Sequence, residues 1–135
     1  MKTIRIGIIC PSEIAFRRFL PSLKQVEGIE YAGVAVANEA EWNGTLTDAM
    51  KQSELAKAQN FVDTYGGKIF DSYHALLTSD EVDAIYLPLP PALHYQWAKL
   101  AIANNKHVFV EKPSTTSYAD SSELIALASE KGLAL

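Results

Sequence analysis

Short runs rich in β-branched and aromatic residues alternate with amphipathic stretches from one end of the chain to the other, and this alternation restricts the fold more than any other feature. Strands separated by a helix's length of chain cannot close as hairpins, so they pair in parallel through crossover helices that pack on the sheet. Strands are predicted at residues 3–9, 31–37, 68–70, 84–87 and 107–110, and residues 132–135 would begin a sixth.

The stretches between them have helical spacing. Residues 13–26 put Phe16, Phe19, Leu20, Leu23 and Val26 on one face, and Pro21 within them should bend the helix, since its ring removes a hydrogen bond and crowds the preceding turn. Leu55, Ala58, Val62 and Tyr65 mark the next face, which stops at Gly66-Gly67. Residues 39–53 are too long and polar for an ordinary connection and read as an excursion with some helix. Asp71 or Ser72 caps a short helix ending at Leu77. Leu93, Trp97, Leu100 and Ala101 form another face, closed by Asn104 or Asn105 in a left-handed cap. Ser117 and Asp120 have capping-box spacing ahead of Leu124, Leu127 and Ala128, with Gly132 as the stop. The fold class is α/β: a doubly wound parallel sheet of about six strands with helices on both faces. No repeat or linker divides residues 1–135, so they form one domain.

Composition narrows the function. A net charge of −4 and no basic patch with interleaved aromatics argue against nucleic acid as a partner. No apolar run reaches the roughly 20 residues of a membrane span, so no membrane partner is expected. One cysteine cannot form an internal disulfide, and with no secretory signal in residues 1–10 the expected setting is cytoplasmic, where the sequon at Asn43 has no role. No spacing of His, Cys and carboxylates suits a metal.

In a doubly wound sheet the ligand crevice lies beyond the carboxyl ends of the strands. Four groups of candidate residues fall there: Cys10-Pro11-Ser12, Asn38-Glu39, the prolines from Pro88 to Pro91, and Glu111-Lys112-Pro113. The last is the most informative, because Lys and Glu are costly to bury and a charged pair ending an apolar strand suits a ligand better than packing.

These residues carry a resemblance. I-R-I-G-I-I at 4–9, E-I-A at 13–15, V-D-A-I-Y-L at 82–87, L-H at 93–94 and, most specifically, K-H-V-F-V-E-K-P at 106–113 resemble the N-terminal Rossmann domain of the Gfo/Idh/MocA oxidoreductases over essentially the whole chain. The resemblance implies NAD or NADP as cofactor and oxidation or reduction of a hydroxyl or carbonyl carbon in a sugar, cyclitol or nucleotide-linked sugar. It also implies a C-terminal domain, absent from these 135 residues, that binds the sugar-like substrate and often forms a homo-oligomer interface. The chain alone is then expected to be inactive.

By that resemblance Cys10, Pro11, Ser12, Glu13 and Ile14 form the phosphate loop, but C-P-S-E-I-A stands where the family has G-x-G-x-x-A. One glycine makes the tight turn and the next admits the pyrophosphate, so both functions are in question here. Ser12 could cap the helix. Cys10, near a helix N-terminus, has a reactive reading beside the plainer one of a small residue packed at a strand end. Asn38 and Glu39 stand where an acidic residue holds the adenosine ribose, or simply begin the long loop; no Arg follows, which favours NAD.

Leu87, Pro88, Leu89 and Pro90 align with the loop beneath the cofactor, and Pro91 falls where Asn is common; a rigid turn explains the same prolines. His94 matches the motif's histidine and has either a cofactor-side or a structural role. The resemblance puts Glu111 near the nicotinamide and makes Lys112 catalytic, reaching the reacting hydroxyl and the nicotinamide ribose, with a surface ion pair as the bland alternative. A non-catalytic Rossmann binding or regulatory module with an eroded phosphate loop is the contrasting reading of the whole chain.

Overall fold

The computed structural model describes residues 3–42 and 44–135. Asn43, the acceptor of the sequon, lies outside them. The elements run β1 (Ile4–Ile9), a π-turn (Ala15–Phe19) leading into α1 (Leu20–Leu23), β2 (Ile29–Ala35), α2 (Asp48–Tyr65), β3 (Lys68–Phe70), α3 (Tyr73–Leu77), β4 (Ala84–Leu87), α4 (Pro91–Ala103), β5 (His107–Val110) and α5 (Tyr118–Lys131). All strands are parallel and lie in the order β3-β2-β1-β4-β5. The order reverses between β1 and β4, which opens a crevice beyond their carboxyl ends.

Period-2 alternation sorts the strand side chains into two layers. Ile6, Ile8, Val34, Val36, Ala84 and Tyr86 face one way, against Ala15, Leu20, Ala58 and Phe61 from the first two helices. Ile9, Ala35, Ile85, Leu87 and Val108 face the other, against Leu76, Trp97, Ala101 and Leu124 from α3, α4 and α5. Ile8, Ile9, Ile85 and Leu87 are each fully buried. Each such side chain contributes about 1.5–3 kcal/mol, so the central strands are anchored from both layers.

Several boundaries differ from those predicted. The first helix ends at Leu23, and Val26 is exposed in the turn that follows. Instead of a simple bend, Pro21 is preceded by a widened turn in which the Leu20 N–H returns to the Ala15 carbonyl. Pro21 has no N–H to offer the preceding turn, and the wider register accommodates it. β2 begins at Ile29 rather than Tyr31. The polar excursion is shorter than expected, because Thr47 caps α2 by accepting from the Met50 N–H. Leu55 is exposed on that helix, and Phe61 takes the buried place beside Ala58. Among the described residues five strands are formed. Where a sixth was expected, Ala134 accepts one backbone hydrogen bond from Val108, short of a ladder. Ser72, Asn105, Ser117 and Gly132 cap their helices as their residue types require.

Two charged side chains, Arg5 partly exposed and Lys106 buried, hold the opposite end of the sheet. Arg5 brackets Asp83 with Nε and Nη2 at 3.0 and 3.1 Å. Lys106 is buried, and its ammonium donates to the carbonyls of Ser79 and Val82 at 2.7 and 2.5 Å. Burial pushes its pKa down, and the charge stays satisfied by the turn after α3.

Candidate dinucleotide site

Cys10 closes β1 with its N–H on the Ala35 carbonyl and then turns at φ 74. That is the left-handed conformation for which glycine is the usual residue, and it costs a residue with a Cβ about 1–2 kcal/mol. Cysteine thus makes a turn of the kind that glycine favours. The Cys10 side chain tucks toward β4, with Sγ 3.9 Å from the Pro88 carbonyl. Burial pushes its thiol up to about 12, which favours the plainer reading of a small residue packed at a strand end.

Pro11 is buried and Ser12 caps the helix, its hydroxyl accepting from the Ala15 N–H at 3.2 Å. The Ser12 N–H is spent on the Cys10 carbonyl, and Phe16 N–H on the Ser12 carbonyl. Among the described residues this leaves the Glu13 and Ile14 N–H groups without an internal acceptor. Two free donors on a helix N-terminus at a topological switch point suit a pyrophosphate. The side chains of Glu13 and Ile14 point elsewhere: Glu13 pairs with Arg17 at 2.8 Å, and Ile14 is exposed.

Beside this loop is a hollow of about 280 Å³ that brings together the ends of β1, β2 and β4: Cys10, Pro11 and Ser12 face Trp42, Leu89 and Pro90 across it. Asn38 and Glu39 line an adjoining hollow of about 460 Å³, and Glu54 lines both. The Asn38 carboxamide oxygen is already used, accepting from the Glu41 N–H at 2.9 Å.

Glu41 was not singled out by sequence, yet it organises this edge. One carboxylate oxygen accepts from the N–H groups of Asn38 and Tyr73 at 3.0 and 2.8 Å, and the other from His74 at 2.9 Å. A carboxylate at the start of α3 is favoured by the free N–H groups there. The one local signal was the Asn-x-x-Glu spacing of a reciprocal turn; the bonds to α3 bridge more than thirty residues. Trp42, Lys57 and Tyr73 also line the first hollow without having been anticipated.

The structure does not bring Glu111 and Lys112 into either hollow. Leu87 and Leu89 are buried, and Pro88 is partly so. The Glu111 N–H extends the ladder to the Leu87 carbonyl, and its carboxylate accepts from the Tyr86 hydroxyl. Lys112 is exposed, and among the described residues its ammonium has no hydrogen bond or ion pair. The Lys112–Pro113 peptide is cis.

His94 is buried, with Nε2 2.6 Å from the Leu89 carbonyl and Nδ1 2.7 Å from the Pro113 carbonyl. Both ring nitrogens thus face protein, which places its polar contacts with the two loops rather than with the crevice. Among the described residues no three potential metal ligands cluster, and no helix is long and apolar enough to cross a membrane.

A parallel sheet reversing its order beside a glycine-type turn and a helix with two free N–H groups defines an NAD(P)-binding Rossmann domain. Residues 28–135 match the GFO_IDH_MocA family, described as an oxidoreductase family with an NAD-binding Rossmann fold, and the chain belongs to it. The match starts after the departing phosphate loop.

The chain is 37% identical to a dTDP-3,4-didehydro-2,6-dideoxy-alpha-D-glucose 3-reductase of Actinomadura kijaniata, over 98% of this chain and 35% of that protein. It is 30% identical to the D-xylose 1-dehydrogenase (NADP(+)) 2 of Haloferax volcanii, over 96% and 35%. Its structure is similar to that of KijD10, a 3-ketoreductase from Actinomadura kijaniata in complex with NADP and TDP-benzene, with a TM-score of 0.81 and 36% identity over 98% of this chain and 36% of that one. The chain spans about a third of the length of these relatives.

Proposed function

We propose that this chain is the cofactor half of an NAD(P)-dependent oxidoreductase that acts on a hydroxyl or carbonyl carbon of a sugar-like substrate. The observation that carries the reading is the glycine-type turn at Cys10, which leaves the N–H groups of Glu13 and Ile14 open at the helix start. The residues present fit a dinucleotide. Glu13 and Ile14 hold the pyrophosphate through backbone N–H groups, Ser12 fixes the helix they begin, and Leu89 and Pro90 form the floor. A nicotinamide supplies the hydride acceptor or donor.

Lys112 is the residue we assign to the reacting hydroxyl. Its exposed ammonium beyond β5, without a partner among the described residues, is available to hydrogen-bond that oxygen and to take or return its proton as the carbon changes oxidation state. Glu111, held by Tyr86, borders it. The substrate and its partner acid or base belong to a further domain, as the length of the relatives supports, so the chain alone is proposed to be inactive. A dTDP-linked sugar is the substrate class that the reductase relatives support, and a homo-oligomer in a cytoplasmic setting completes the proposal.

The preference for NAD rests on charge. Glu39, Asp48, Glu54 and Asp71 line the hollow after β2 with Lys51 as the one cation among its lining residues, and a 2′-phosphate there meets net repulsion. KijD10 is bound to NADP and the Haloferax volcanii relative is named for NADP(+), which weighs against this preference. Calorimetric titration with NAD, NADP and their reduced forms tests both levels. Binding of either supports the function, tighter binding of NAD supports the preference, and no heat with any of them at millimolar concentration refutes the function and leaves the non-catalytic module.

A further inference from the structure

Among the described residues the Lys112 ammonium has no hydrogen bond or ion pair, yet its two neighbours are held by buried side chains from opposite layers of the sheet. On the amino side, Glu111 belongs to the face shared by Tyr86 and Phe109, and its carboxylate accepts the Tyr86 hydroxyl. Tyr86 is itself immobilised: it is fully buried and stacked on Phe19 with ring centroids 3.8 Å apart and planes 9° apart. On the carboxyl side, the Pro113 carbonyl meets His94 Nδ1 at 2.7 Å. His94 is buried on α4 in the other layer, and its Nε2 at 2.6 Å from the Leu89 carbonyl ties the same ring to the loop beneath the crevice.

We propose that Tyr86 and His94 are positioning residues for Lys112, fixing from both faces of the sheet the short backbone segment that aims its ammonium at the nicotinamide end of the crevice. The inference rests on the reading of Lys112 given above. A long, flexible side chain reaches a reacting atom productively only if its Cα is held, and displacement of about 1 Å costs catalysis heavily. Solvent cannot substitute easily for either anchor, since both anchoring side chains are buried. The arrangement also joins the two loops: one ring bridges Leu89, beneath the crevice, and Pro113, just past Lys112. A merely structural role predicts damage wherever the fold is probed. Positioning predicts damage confined to what Lys112 touches.

The experiment compares affinities of the intact protein for NADH and NADPH with those for ADP-ribose and its 2′-phosphate, which lack the nicotinamide. The ratio isolates the contribution of the nicotinamide end. Tyr86→Phe keeps the stacked ring and removes the hydroxyl; His94→Gln keeps a buried amide and breaks the bridge. Each is expected to lower the ratio about tenfold with the ADP-ribose affinity unchanged, as is Lys112→Met. Combined with Lys112→Met, neither is expected to lower it further, because all three act through one ammonium.

If Lys112→Met lowers the ratio and the other two variants leave it intact, or if their effects add to it, the positioning role is overturned and the assignment of Lys112 stands. If ADP-ribose weakens in parallel, the residues are structural and the inference is again overturned. If Lys112→Met itself changes nothing, the assignment of Lys112 fails and the inference with it.

Discussion

Thiol labelling of Cys10 reads the phosphate loop directly, because Cys10 is the chain's one cysteine and the reagent reacts with its thiolate. Burial raises the thiol from an ordinary 9.0 to about 12, a difference of three pH units. Below both values the folded protein therefore holds about a thousandfold less thiolate than the unfolded chain. The rarer thiolate is the better nucleophile: with a Brønsted slope of about 0.4–0.5, three units return a factor of roughly 15–30. The net expectation is labelling about 50-fold slower in the native protein than in guanidinium at the same pH, before any effect of restricted access.

A chromogenic disulfide reagent at about pH 8 measures both rates in one instrument. A native rate within about fivefold of the unfolded one would refute the desolvation argument, and a faster one would revive the reactive thiol. The same shift is a statement about stability. The folded value lies above the unfolded one, so the contribution of the neutral buried thiol is fully present below pH 9.0 and is lost as pH rises toward about 12. Its upper limit is about 4 kcal/mol, at 1.36 kcal/mol per unit. Cys10→Ala keeps the Cβ and should remove that part of the alkaline loss. Part will remain, because burial raises Tyr31, Tyr73 and Tyr86 in the same direction.

Two substitutions test the packing that supports the site. In Gly33→Ala the new Cβ would lie 2.3 Å from the Lys68 carbonyl oxygen and 2.9 Å from the Phe70 ring, so β2 and β3 must separate; a loss of about 1–3 kcal/mol or more is expected in urea unfolding, and an unchanged midpoint would show that the sheet yields freely. Lys106→Met removes the ammonium that donates to the carbonyls of Ser79 and Val82, of which Ser79 keeps the Val82 N–H, and should cost about 1–3 kcal/mol, whereas a gain in stability would mean that the desolvation of the ammonium outweighs its hydrogen bonds.

Much of the fold was legible because its signals are local. A glycine, an asparagine or a capping serine imposes a helix end through its own dihedrals, and Ser72, Asn105, Ser117 and Gly132 all act where their chemistry requires. The misread elements have equally local reasons. Val26 continued the apolar spacing after the chain had left the helix, and Leu55 matched a helical face that α2 turns to solvent in favour of Phe61. A spacing rule registers which residues share a face and not where the sheet lies beneath it.

The sequence by itself determined the alternation of strands and helices, hence a doubly wound parallel sheet, and set Glu111-Lys112-Pro113 directly behind β5. Only the tertiary structure decided what those residues meet. Cys10 takes a glycine's conformation where β1 ends, with its N–H on the Ala35 carbonyl and its thiol toward Pro88. Glu41 reaches α3, Tyr86 reaches Glu111, and His94 joins Leu89 to Pro113 because the strand order brings those segments together. Periodicity is a property of a few neighbouring residues. A hydrogen bond between side chains far apart in sequence depends on strand order and register, which are settled only when the sheet is assembled.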